Sequence, residues 1–60
     1  MLARIWYEGE EYYVEADTLS EAIEVWNLRM QEEYGEESWV DPEVTETLWD
    51  GPVIRKEIVK

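Results

Sequence analysis

The chain contains no cysteine, no histidine and no phenylalanine, and its lysines and arginines number five against sixteen aspartates and glutamates. Without cysteine there is no disulfide and no thiolate metal site. Without histidine the usual zinc ligands and the usual general base are both missing. The base deficit leaves a formal net charge of −11, a field that repels nucleic acid and anionic lipid and attracts basic proteins. Direct binding to DNA or RNA is therefore not expected. No apolar run approaches the roughly 20 residues of a membrane span. The opening Met1-Leu2-Ala3-Arg4-Ile5-Trp6 lacks the apolar stretch of a signal peptide, so the expectation is a cytoplasmic protein.

What is present is aromatic mass, four Trp and four Tyr in 60 residues. Such a length allows one domain, residues 1–60, burying only about 60% of its unfolded surface. Trp and Tyr pair a large apolar body with a polar atom, which suits interfaces as well as small cores. A hydrophobic content of 45% separates the chain from disordered acidic tails.

Residues 2–16 read as a β-hairpin. A two-residue loop at Gly9-Glu10 pairs Glu8 with Glu11, Tyr7 with Tyr12, Ile5 with Val14 and Ala3 with Ala16, and sets Trp6 opposite Tyr13 and Arg4 opposite Glu15. Thr18-Leu19-Ser20-Glu21 matches a capping box, and Leu19, Ala22, Ile23, Trp26, Met30 and Tyr34 then follow helical spacing up to a stop at Gly35. Glu21, Glu24, Leu28, Gln31 and Glu32 fall on the opposite helical face. After an acidic loop over residues 36–42, Val44 to Trp49 reads as a strand, Asp50-Gly51-Pro52 as a turn, and Val53 to Val59 as a last strand. The expected fold is α+β, a ββαββ domain with an antiparallel sheet in the order 2-1-3-4 and one helix packed on one face. The expected core is Ile5, Tyr7, Val14, Leu19, Ile23, Trp26, Met30 and Leu48, with Trp6 and Tyr13 on the other face of the sheet.

Catalysis is not expected. The carboxylates sit in polar stretches where they stay solvated, and the pairs Glu32 with Glu36 and Glu21 with Glu24 read as a charged helix face. Ser20 and Ser38 have no base, and the three glycines are too scattered to cradle a phosphate. The loop from Glu36 to Glu43 lacks the alternating pattern and central glycine of an EF-hand, so neither metal nor cofactor is expected.

Two features exceed an ordinary composition. From Glu8 to Glu24 there are seven acids and no base, and from Gln31 to Glu46 again seven and none. A helix face bearing Glu21, Glu24 and Glu32, continued by Glu36 and Glu37, presents carboxylates where a basic partner expects phosphates. The second feature is the aromatic surplus. Trp6 and Tyr13 point away from the helix, Trp39 and Trp49 add further rings, and Leu28 lies among acids.

The run Tyr13-Val14-Glu15-Ala16-Asp17-Thr18-Leu19-Ser20-Glu21-Ala22-Ile23, a strand leading into a capped helix, resembles small acidic phage and prophage proteins. Leu48-Trp49-Asp50-Gly51-Pro52-Val53-Ile54-Arg55 is similar to their closing hairpin. Together the two segments cover about a third of the chain. The resemblance implies an inhibitor of host enzymes or defence systems that occupies a nucleic-acid site. The expected function is thus an acidic protein-binding inhibitor or modulator docking on the basic surface of another protein. The expected contacts are Glu21, Glu24, Glu32, Glu36, Glu37, Trp6, Tyr13 and Leu28. The alternative is a self-associating assembly protein that forms a homodimer through the open sheet face around Trp6 and Tyr13.

Overall fold

Alternation along the first two strands decides which side chains meet the helix, and the fold follows from it. The computed structural model describes residues 1–35 and 38–55. Its elements are β1 (Leu2–Tyr7), β2 (Glu10–Glu15), α1 (Leu19–Tyr34) and β3 (Glu43–Glu46). They form a three-stranded sheet in the order β2-β1-β3, with β1 antiparallel to both neighbours and α1 packed on one face. The α+β class and the central place of the first strand match the expectation.

The hairpin register differs from the expected one by two residues. Ile5 faces Tyr12, Ala3 faces Val14 and Arg4 faces Tyr13, so the loop is Glu8-Gly9 and not Gly9-Glu10. Both loop residues have positive φ, 50° at Glu8 and 80° at Gly9. A two-residue loop of this kind matches the right-handed twist of the strands it joins. The shift also sets Glu10 opposite Tyr7 and Glu11 opposite Trp6, which avoids placing the like charges Glu8 and Glu11 face to face. A slip of two leaves every side chain on its original face. Ala3, Ile5 and Val14 are accordingly buried under the helix, while Trp6 is 46% exposed on the far side.

Thr18 opens α1 as an N-cap, its Oγ1 accepting from the Glu21 amide at 3.0 Å. Gly35 closes it at φ 69°, donating its N–H to the Gln31 carbonyl. The small side chains of Ala3, Ala16 and Ala22 let the helix approach the sheet, and Trp26, 1% exposed, wedges between Tyr7 and Tyr12. Leu19 and Met30 pack against this core as expected, but Tyr34 ends in solvent.

The covered arc of α1 is wider than its apolar stripe. Asn27 and Arg29 lie about 200° apart around the helix. The Asn27 side chain binds Val40 on one flank, and on the other Arg29 donates to the Arg55 carbonyl at 3.4 Å. Segments from the second half of the chain therefore grip both flanks, and Val25 and Asn27 become buried with Ala22 and Trp26.

After β3 the chain departs from the expected topology. Strand pairing to β1 ends at Glu46, with one further bond from the Thr47 amide to the Leu2 carbonyl. Leu48, expected in the core, is 99% exposed. Trp49 instead reaches the open face of the sheet and stacks on Tyr13, ring centroids 4.1 Å apart and planes at 6°. Ile54 then bridges Val14 in parallel, accepting from the Glu15 amide and donating to the Tyr13 carbonyl. The described part of the last segment thus lies on the outer edge of β2, not beside β3. The physical reason is the Tyr13–Trp49 stack, which draws the chain across the sheet. The remainder of the expected last strand, residues 56–60, lies outside the described residues.

Candidate docking surfaces

Three surfaces offer side chains to a partner. The first is the outer face of α1. With 3.6 residues per turn, Glu21, Glu24, Leu28 and Glu32 line one side of the helix, the side opposite Trp26. Glu24 and Glu32 are exposed, Glu21 is half-buried at the first turn, and Leu28 stands 54% exposed between them. Glu36 and Glu37, expected to continue this row, lie outside the described residues. The described bases are turned away from it. Arg4 pairs with Glu11, Arg55 pairs with Glu15 at 3.4 Å, and Arg29 holds the Arg55 carbonyl.

The second surface is the open face of the sheet. Trp6 and Tyr13 both lie there, as expected, but they are not equally available. Tyr13 is half-buried beneath Trp49, whose indole Nε1 donates to the Pro52 carbonyl at 3.1 Å. The turn closes tightly over Gly51, where an added Cβ would sit 2.5 Å from the Trp49 ring. Tyr13 also donates to Glu11 at 3.2 Å, and burial followed by that carboxylate raises its phenol above the ordinary value. Trp6 keeps an open edge, with the Arg4 guanidinium 5.2 Å from its ring centroid.

The third surface was not read from the sequence. A cavity of about 460 Å³ opens between the hairpin turn, the C-terminal half of α1 and residues 38–40. Tyr7, Tyr12, Trp26, Met30 and Tyr34 supply its apolar wall, and Glu8 and Glu10 stand at the turn. Trp26 meets Tyr7 and Tyr12 edge-on at centroid distances of 5.4 and 5.6 Å, so the two phenols are fixed relative to one another. The Trp26 indole nitrogen is buried with no acceptor among the described residues. The Tyr12 hydroxyl donates to Glu10 at 2.8 Å. Burial, that hydrogen bond and the nearby Glu10, Tyr34 and Glu33 push the Tyr12 phenol up to about 12.

The cavity exists because Asn27 fixes its far wall. The Asn27 amide donates to the Ile23 carbonyl at 2.9 Å and the Val40 carbonyl at 2.8 Å, and accepts from the Val40 amide at 2.8 Å. One side chain thereby acts as a strand edge for a loop residue 13 positions away. Nothing at Asn27 in the sequence signals this role, because a polar residue inside a helix reads as solvent-facing.

No protein-family model matches the chain, and searches of curated proteins and of solved structures find no similar protein. No described helix is long and apolar enough to cross a membrane.

Proposed function

We propose that the protein is an acidic protein-binding inhibitor or modulator, of the phage type its sequence resembles, that docks α1 on a basic surface of a nucleic-acid-handling protein. The observation that carries this reading is the outer helix face, an exposed Leu28 ringed by Glu21, Glu24 and Glu32. An apolar centre with a charged rim is the arrangement of an energetic contact whose surroundings exclude water. Glu21 to Glu32 spans eleven helical positions, about 16 Å, so three carboxylates there are sparser than the roughly one charge per 1.7 Å of duplex DNA. The helix face therefore supplies specificity through Leu28. Resemblance to a nucleic acid comes from the field of the whole acidic surface.

The test is association kinetics with a basic partner captured from host lysate and eluted by salt. Replacing Glu24 and Glu32 together by lysine should slow association roughly tenfold at low salt and leave the circular dichroism spectrum unchanged. Leu28→Ala should act on dissociation instead. Affinity that stays constant between about 50 mM and about 500 mM salt removes the electrostatic half of the proposal.

A second reading rests on Trp6, 46% exposed beside β3, the edge strand of the sheet among the described residues. It makes the protein a self-associating assembly unit that pairs through the open face. Sedimentation at high concentration separates the two readings. A monomer excludes self-association, and a dimer dispersed by Trp6→Ser supports it.

A further inference from the structure

We infer that the cavity beside the hairpin turn is a receptor for an organic cation, and specifically for the guanidinium of an arginine side chain presented by the partner. Three independent sources of negative potential converge on it. Glu8 and Glu10 line it, and among the described residues no lysine or arginine does. The last turn of α1, Gln31 to Tyr34, carries no base of its own, so the C-terminal end of the helix dipole adds negative potential beside the cavity. The third source is the group of phenol rings, Tyr7, Tyr12 and Tyr34, that line it, since aromatic rings attract a cation through their electron-rich faces. The Tyr12 hydroxyl donates to Glu10 at 2.8 Å, which holds that carboxylate in place at the cavity.

The volume, about 460 Å³, falls within the range of roughly 300–1,000 Å³ typical of small-ligand pockets. Guanidinium suits the lining better than a quaternary ammonium. It is planar and can lie against a phenol while its N–H groups reach the carboxylates of Glu8 and Glu10. A quaternary ammonium has no N–H donors and could meet Glu8 and Glu10 by charge alone. This inference deepens the docking proposal and rests on it only for the bearer of the arginine.

The experiment titrates the intact protein with acetyl-Gly-Arg-Gly-amide, the matching citrulline peptide and the matching trimethyllysine peptide, following the ring protons of Tyr7 and Tyr12 by NMR. The arginine peptide should shift those signals saturably and bind roughly tenfold more tightly than its neutral citrulline counterpart. The exposed pair Glu8→Gln with Glu10→Gln should weaken it severalfold with the fold intact. Glu24→Gln with Glu32→Gln, the same change of net charge on the outer helix face, should leave it nearly unchanged. Equal binding of citrulline and arginine overturns the inference, and so does equal loss in the two double variants. Tighter binding of trimethyllysine overturns the choice of guanidinium. If the peptide fails to bind while partner docking stays salt-sensitive, the pocket assignment falls and the docking proposal stands. If the peptide binds and docking is indifferent to salt, the reverse holds.

Discussion

Asn27 is the residue that fastens the segment around Val40 to the helix. It is 1% exposed and makes three hydrogen bonds, two of them with the Val40 backbone. Asn27→Leu keeps similar bulk but leaves the Val40 amide and carbonyl without partners, at roughly 1–3 kcal/mol for each group that stays buried. The melting temperature should fall by about 4–8 °C per kcal/mol lost, and the Val40 amide should exchange with solvent markedly faster. Tyr12 gives a second prediction, through pH. Its phenol is raised from 10.0 to about 12, so the folded chain holds the proton more tightly than the unfolded chain does. The resulting stabilisation is complete below about pH 10 and is lost as pH rises through about 12. Tyr12→Phe should flatten the alkaline decline of the melting temperature between those values. It should not abolish the decline, because Tyr13 is shifted in the same direction.

Among the elements, the hairpin shows what a sequence discloses and what it withholds. Side-chain alternation made the two faces of the sheet legible. That is why Ile5 and Val14 lie in the core and Trp6 outside it despite a register wrong by two. The register itself turned on the loop, and there Gly9 drew attention to itself while Glu8, which also takes positive φ, did not. A non-glycine residue in that conformation is strained, whereas asparagine tolerates it and favours this turn when followed by glycine. Glu8→Asn should therefore stabilise the fold by roughly 0.5–1 kcal/mol, read from chemical denaturation with an unchanged slope. The helix was legible at both ends because Thr18 and Gly35 cap it by local chemistry. The path of residues 47–54 was not legible. Val53-Ile54 has strand composition, but its partner is chosen by the distant Tyr13–Trp49 stack. The cavity was hidden for the same reason, since its walls come from the hairpin, α1 and the 38–40 segment together.

For the molecule as a whole, the acidic outer face of α1 and the aromatic open face of the sheet stand on opposite sides of one core, so a partner on one leaves the other free. Both extremes of the described chain fasten to the end of β2. Ala16 donates to the Met1 carbonyl, and Ile54 exchanges bonds with Tyr13 and Glu15. The hairpin and the helix it carries are joined by contacts between neighbouring elements, whereas the β1–β3 pairing and the Val14–Ile54 bridge, which spans 40 residues, both close long loops. Short-range contacts form early, and a closure of that span carries its entropy cost before any reward. The hairpin and helix should thus assemble first and the 39–55 segment wrap around them last. In stopped-flow experiments Ile54→Ala should speed unfolding by roughly tenfold and leave the refolding rate nearly unchanged. The lifetime of the native state, and with it resistance to proteolysis under conditions where cleavage outpaces reclosing, is then set by a clasp that plays little part in how fast the chain folds.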